Sequence, residues 1–342
     1  MGLATRILGQ NPLRTLRPEC IGDRRRLDLM YHNGKLGIRG PSAPNASFDF
    51  VEVSNPDSAS PAISSMIGEF TSSRFPIDLA QIRFREASNG WQGLWIDTSN
   101  EQIKALLEQK SWAQKMLLRG WVIEIGQKHK EIMLDDTGKL ALKAAQARPW
   151  LSSFDQTNRE MPLLSYASLF SQPGPEVNRA LISAGMDLLD SQNISKLRWI
   201  EWGAGYGNLT AAYASRLGSN AFASELDPAA AACLALNAPS FFPGVLTERA
   251  AAEKGPNTSF GEAQLWLIDP PRSGFSELLD RLKLLPSKPR YVLAYHCHEK
   301  GLSSDTAKLK EAGYQLTEWS SVDAFPATLH QEVISLWISN TA

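Results

Sequence analysis

Three cysteines in 342 residues, Cys20, Cys233 and Cys297, are too few and too scattered for a disulfide framework or a four-thiolate metal centre, so each thiol is expected to be free. No apolar run is long enough to span a bilayer. The start, Met1-Gly-Leu-Ala-Thr-Arg6, has no signal-peptide core, and Arg6 stands where an N-myristoylation motif needs Ser or Thr. These absences point away from membranes and towards the cytoplasm. A formal charge of −1 leaves no global field for non-specific nucleic-acid binding. Locally the balance differs: Arg6, Arg14, Arg17, Arg24, Arg25, Arg26, Lys35 and Arg39 face only Glu19, Asp23 and Asp28. That excess fits either a phosphate-contacting edge or a solvated charged hairpin.

The length implies two domains. In the first, Asn33-Gly34 separates the strand-like runs 27–32 and 36–39, and Asn89-Gly90 separates 82–88 from 91–97, which are two hairpin signals. The Ser-, Pro- and Asn-rich stretch 40–65 reads as loop. A helix is expected over 100–118 with Ser99 as its N-cap, then strands at 121–125 and 131–134. After Pro162 the texture becomes alternating β and α: helix 177–189, strand 197–202, helix 209–217, strand 221–225, helix 228–236, strand 265–268, strand 291–295, helix 304–312 and strand 333–338. The expected fold is α/β, a Rossmann-like domain over 161–342 preceded by a smaller α+β domain over 1–160.

The segment Leu265-Trp-Leu-Ile-Asp-Pro-Pro-Arg-Ser-Gly274 reads as a strand buried on both faces that stops at an acid and two prolines. Ligands collect past the carboxyl ends of such strands, so Asp269 is expected to face a crevice with Arg272 beside it. Glu201-Trp-Gly-Ala-Gly-Tyr-Gly-Asn208 follows an earlier strand and opens a helix. A dinucleotide fingerprint requires its third glycine at position 208, which is Asn208, so the Gly203, Gly205, Gly207 pattern suits S-adenosylmethionine better. Glu225, ending the next strand, is suited to accept hydrogen bonds from two ribose hydroxyls.

At these residues the chain resembles the RNA 5-methyluridine (uracil-5) methyltransferases of tRNA and ribosomal RNA. Phe170-Ser-Gln-Pro173 followed by Asn178 is similar to the family's glutamine segment, Gly205-Tyr-Gly-Asn-Leu-Thr210 to its cofactor loop, and Asp269-Pro-Pro-Arg-Ser-Gly274 to its acid–proline motif. Tyr295-His-Cys-His298 falls where the family carries a cysteine nucleophile. Asp323-Ala-Phe-Pro-Ala-Thr-Leu-His-Gln-Glu332 resembles the terminal segment that ends in its general base. The likeness runs from Pro162 to the C-terminus and is faint before it, at Arg24-Arg-Arg-Leu-Asp28. The family's Ser-Cys-Asn-Pro is replaced by His296-Cys297-His298-Glu299, and Gly203 stands where the family has an aromatic residue. Its N-terminal barrel has no room before Arg24, and three cysteines do not make its iron–sulfur cluster.

The resemblance implies an S-adenosylmethionine-dependent enzyme that forms 5-methyluridine in structured RNA, a tRNA or an rRNA, as a monomer. Carbon 5 of uracil is too weak a nucleophile to take a methyl group unaided; a thiolate added at carbon 6 makes an enolate that can. Cys297 is the implied nucleophile and Glu332 the base that removes the carbon-5 proton. Gln172, Gly203, Gly205, Asn208, Glu225 and Asp269 are the implied cofactor-binding set. His296 or His298 is available to assist Cys297. A metal site built from them with His330 is not expected, because residues on either side of Cys297 in a strand face away from it. Two other readings stay open: a methyltransferase with another substrate, and a catalytically silent RNA- or cofactor-binding paralogue.

Overall fold

In the computed structural model the described residues are 2–39, 50–54, 56–126, 129–252, 262–285, 287–325 and 331–340. The chain forms two compact units, one of residues 1–19, 152–163 and 176–342, the other of 20–151 and 164–175. The division is therefore not the single boundary at 160/161 expected from the sequence. Its physical cause lies in the first residues. Helix α1 (Leu3–Leu8) places Ala4 and Leu8 in the core of the larger unit, and strand β1 (Arg14–Leu16) pairs in parallel with a strand from near the C-terminus, Arg14 opposite Ser320.

The smaller unit follows, as β2 (Arg26–His32), β3 (Lys35–Arg39), β4 (Phe50–Glu52), α2 (Pro61–Ser72), β5 (Leu79–Glu86), β6 (Gln92–Asp97), α3 (Asn100–Glu108), α4 (Lys110–Leu118), β7 (Val122–Ile125), β8 (Lys130–Leu134) and β9 (Leu140–Ala144). Its sheet runs β4-β3-β2-β5-β6-β7-β8-β9, antiparallel except for β6 and β7, which the crossover helices α3 and α4 join. Both Asn-Gly hairpins are present; Asn33 and Gly34 take φ of 46° and 89°, as the tight turn requires. Two expectations are corrected. The stretch 40–65 is not all loop: it holds β4, and α2 begins at Pro61, where Ser60 caps Ile63 N–H at 3.1 Å and Ile63, Met66, Ile67 and Phe70 bury one face. The 100–118 helix is two helices, broken at Gln109 (ψ 64°), so that Leu106 and the Trp112, Ala113, Met116 face both reach the core.

Strands β10 (Arg148–Phe154) and β11 (Glu160–Ser165) form a two-stranded ribbon through which the chain passes from one unit to the other and back. Then come α5 (Pro175–Ser191), β12 (Trp199–Trp202), α6 (Asn208–Leu217), β13 (Ala221–Glu225), α7 (Pro228–Phe241), β14 (Leu246–Arg249), β15 (Leu265–Ile268), α8 (Ser276–Leu282), β16 (Tyr291–His296), α9 (Glu299–Glu311), β17 (Tyr314–Val322) and β18 (Glu332–Ser339). The sheet order is β1-β17-β18-β16-β15-β12-β13-β14. Strands β14, β13, β12, β15 and β16 are parallel, and β18 runs antiparallel between β16 and β17. This is the expected Rossmann-like sheet, with apolar strands such as Leu265–Ile268 buried on both faces. Among the described residues no helix is long and apolar enough to cross a membrane.

Ion pairing stiffens the smaller unit. Glu131 and Arg148 are both buried and meet through two 2.8 Å hydrogen bonds. Glu131→Gln leaves the guanidinium buried without its counter-charge. The expected cost is about 3–5 kcal/mol, read as an earlier urea transition of this unit.

Candidate active site

Adjacent parallel strands β12 and β15 send the chain in opposite directions along the sheet, the first to β13 and the second to β16, so their carboxyl ends border an open crevice. From β12 the chain turns through Gly203, Gly205 and Gly207, at φ of 77°, 59° and 99°. A side chain at 203 would start 2.9 Å from the Asp269 carbonyl and 3.1 Å from the Phe275 ring, so the close approach of the two loops requires glycine there. Around Gly205 a Cβ would meet nothing within 4 Å, so backbone faces open space there. Gly205 N–H donates to Glu225 Oε2 and Asp227 N–H to Oε1, both at 2.8 Å. Glu225 is thus oriented by two backbone donors while its remaining lone pairs are available.

Asn208 behaves differently from the sequence expectation. Its amide exchanges two 2.8 Å hydrogen bonds with Asn178, whose Nδ2 also donates to Ser152 O at 2.9 Å. The side chain therefore ties α6 to α5, and what the segment offers the crevice is the first turn of α6, which has no side-chain cap. Asn178 is fully buried. Glu201 also gains a part that the sequence reading did not assign. It is 1% exposed, accepts a 2.6 Å hydrogen bond from Thr210 Oγ1, and burial, with Asp269 and Glu225 adding, pushes its carboxyl up to about 8. An acid inside the apolar run Trp199-Ile-Glu-Trp202 was the signal.

Asp269 follows β15, open to the crevice, and its N–H reaches Trp202 O at 3.3 Å. Its carboxyl is raised, first by lost hydration and then by Glu225. Cys297 and Glu332 come together at the other pair of strand ends. In the antiparallel β16–β18 pair His296 lies opposite Val333, so Cys297, just past the end of β16, and Glu332, the first residue of β18, flank the same last pair. The two share a field with Asp269 and Arg272. Burial, then Glu332 and Asp269, push the half-buried thiol up to about 11 against a lowering by Arg272. Burial, then Asp269, raise Glu332 to about 7, again opposed by Arg272. A cavity of about 280 Å³ adjoins this end of the sheet, lined by Cys297, His298, Gln331 and, from α1, Leu3, Ala4 and Ile7.

The flanking histidines do not face the thiol's chemistry together. His296 is buried and its Nε2 lies 3.1 Å from Asp305 Oδ2, whereas His298 Nδ1 accepts Lys300 N–H at 3.2 Å as the N-cap of α9. Among the described residues no group of His, Cys, Asp and Glu is placed to hold a metal; His330 lies outside them. Gln172 belongs to the smaller unit, in its 164–175 segment. In that unit Arg26 is committed internally: it binds Asp28 at 2.6 Å, donates to Ser171 O and stacks 4.4 Å from the Phe170 centroid. Of the three consecutive arginines that fit either a phosphate edge or a solvated hairpin, Arg26 is thus an internal tie.

A thiol raised to about 11 is protonated at neutral pH, since a raised pKa keeps the proton bound to higher pH. In a Cys20→Ser background, with Cys233 buried, iodoacetamide alkylation of Cys297 is expected to climb about tenfold per pH unit from 7 to 9 with no plateau. Glu332→Gln removes one raising charge and shifts the profile to lower pH. A plateau near pH 8 in the unsubstituted chain contradicts the site's electrostatics.

No family model matches the sequence. An uncharacterized RNA methyltransferase of Bdellovibrio bacteriovorus is 27% identical over 97% of this chain and 86% of its own length. A 23S rRNA (uracil(1939)-C(5))-methyltransferase of Shewanella amazonensis is 34% identical over 49% of this chain, a stretch that spans only 38% of that protein. In fold, the crystal structure of Pyrococcus abyssi tRNA (uracil-54, C5)-methyltransferase in complex with S-adenosyl-L-homocysteine superposes with a TM-score of 0.66 at 13% identity, covering 98% of this chain and 81% of that one. With its glycine loop, acid–proline turn, cysteine turn and terminal glutamate assembled on one sheet, this chain is similar in sequence to RNA methyltransferases, uracil-C5 enzymes among them, and shares the fold of a tRNA (uracil-54, C5)-methyltransferase.

Proposed function

We propose that this chain is an S-adenosylmethionine-dependent enzyme that methylates carbon 5 of a uridine in structured RNA, a tRNA or an rRNA. The observation that carries the reading is that Cys297, just past the end of β16, and Glu332, the first residue of β18, flank the paired His296 and Val333 and share one electrostatic environment, on the sheet whose switch point holds the glycine loop. The crevice fits the cofactor by the chemistry of its donors and acceptors. Glu225 keeps lone pairs for a ribose diol, the open backbone at Gly205 admits close approach, and the uncapped turn of α6 attracts a carboxylate. Asp269 supplies a hydrogen-bonding carboxyl to ring or cofactor groups. When bound, the cofactor supplies an electrophilic methyl group on sulfonium.

Cys297 adds to carbon 6 of the flipped or unpaired uracil; its proton leaves to water, the S–C6 bond forms, and the ring electrons shift onto the 4-oxygen as an enolate. Carbon 5 then takes the methyl group. Glu332, ionised above its pKa of about 7, removes the carbon-5 proton; the ring double bond re-forms and the C6–S bond breaks, returning the thiolate. One observation favours a second reading, a silent paralogue that binds RNA or cofactor: the resting thiol is held protonated in a turn whose neighbours differ from the family's.

Methyl transfer from labelled S-adenosylmethionine to RNA separates the two. Cys297→Ser is expected to abolish transfer at least a thousandfold without any protein–RNA adduct, and Glu332→Gln to accumulate one. Because the thiolate fraction of Cys297 falls about tenfold per pH unit and Glu332 is protonated below about pH 7, methyl transfer by the unsubstituted enzyme should drop steeply as the pH falls from 8 to 6. Transfer that survives Cys297→Ser contradicts the nucleophile; no transfer to any RNA, with the cofactor bound, supports the silent reading. Glu225→Ala is expected to weaken cofactor binding by roughly 1–3 kcal/mol in calorimetry, and an unchanged affinity overturns its assignment.

A further inference from the structure

Asp305 is fully enclosed in α9, at 0% exposure, and takes no part in the chemistry proposed above. Its carboxylate holds two separate things. Both oxygens accept Phe275 N–H, at 3.0 and 2.9 Å, and Oδ2 meets Nε2 of His296 at 3.1 Å. Phe275 closes the segment that opens with Asp269 and displays Arg272, and its ring backs Gly203. His296 is the last residue of β16 and the neighbour of Cys297. One carboxylate therefore joins the acid–proline loop to the cysteine turn.

The surrounding space is built for that contact. Gly274 has φ of 87°, and a Cβ there would lie 2.4 Å from Asp305 Oδ1. A Cβ at Gly301, on the same helix, would lie 3.0 Å from Gly274 N and 3.1 Å from Arg272 O. Ser276 and Ser304 add a 2.6 Å hydroxyl bridge between α8 and α9. His296 is 3% exposed and its Nδ1 has no hydrogen-bond partner among the described residues, so the bond to Asp305 sets the ring's orientation.

We infer that Asp305 and His296 are a pair of positioning residues that lock the acid–proline loop, with Asp269 and Arg272, against the turn carrying Cys297. The inference rests on the reading of Cys297 as nucleophile. The pair touches no reacting atom; it fixes the separation between the thiol and two opposite charges that act on it.

Asp305→Asn and His296→Asn, singly and together in the Cys20→Ser background, test this by two readouts. The first is the pH profile of Cys297 alkylation, which needs neither RNA nor methyl donor. Release of the loop exposes the thiol and withdraws Asp269, whose effect on it exceeds that of Arg272, so the midpoint should fall by at least half a pH unit. The second is methyl transfer: kcat at least tenfold lower with KM for RNA within threefold, and a double variant no worse than the poorer single one, because both cut one link. An unchanged thiol profile in either folded variant, or losses that multiply in the double variant, overturns the pair. Should Asp305→Asn fail to fold, His296→Asn cuts the same link from the other side. If the unsubstituted chain methylates no RNA, the thiol profile still decides the clamp, so the two proposals fail separately.

Discussion

Everything at the crevice depends on one topological constraint, the reversal of strand order between β12 and β15. These strands are hydrogen-bonded neighbours, Trp202 opposite Ile268, yet the segments that leave them diverge along the sheet. No crossover covers the gap between their carboxyl ends. The glycine loop and the acid–proline loop meet there by necessity, and their mutual crowding, Gly203 against Asp269 and Phe275, follows from the same adjacency. Burial of both sheet faces requires apolar strands, which in turn makes the few acids among them, Glu201 foremost, costly unless hydrogen-bonded or protonated.

The antiparallel strand β18 extends that logic. In a parallel sheet all carboxyl ends lie on one edge, and an antiparallel strand begins at that edge. Glu332, the first residue of β18, is for this reason beside Cys297, just past the end of β16. Two residues 35 positions apart thus share an electrostatic environment, each raising or responding to the same Asp269 and Arg272 charges.

What the sequence made legible was local. Runs such as Leu265–Ile268, bounded by prolines, and Asn-Gly pairs between alternating strands declare themselves within a few residues, and the glycine loop, Glu225, Asp269, Cys297 and Glu332 belong to such segments. The misses have a common cause in distance or in mixed character. Strand β17 mixes Thr, Glu and Ser into its pattern, β14 is an edge strand of four residues, and α1 and β1 join the larger unit through partners more than 300 residues away. The amide pair of Asn178 and Asn208 and the link between Asp305 and Phe275 are likewise long-range hydrogen bonds, which no periodicity records. Charge alone left Arg26 open between a phosphate edge and a solvated hairpin, because beyond Asp28 its contacts, Phe170 and Ser171, lie 144 and 145 positions on.

The central claim, a covalent bond between Cys297 and the target pyrimidine, is tested most directly with RNA carrying 5-fluorouridine, in which fluorine replaces the hydrogen whose removal the proposed mechanism assigns to Glu332. With S-adenosylmethionine present, the account predicts a complex that survives denaturation, carries one added methyl group, and maps by peptide mass to Cys297. Turnover of ordinary uridine RNA with no such complex, or a complex mapped to another residue, would contradict it.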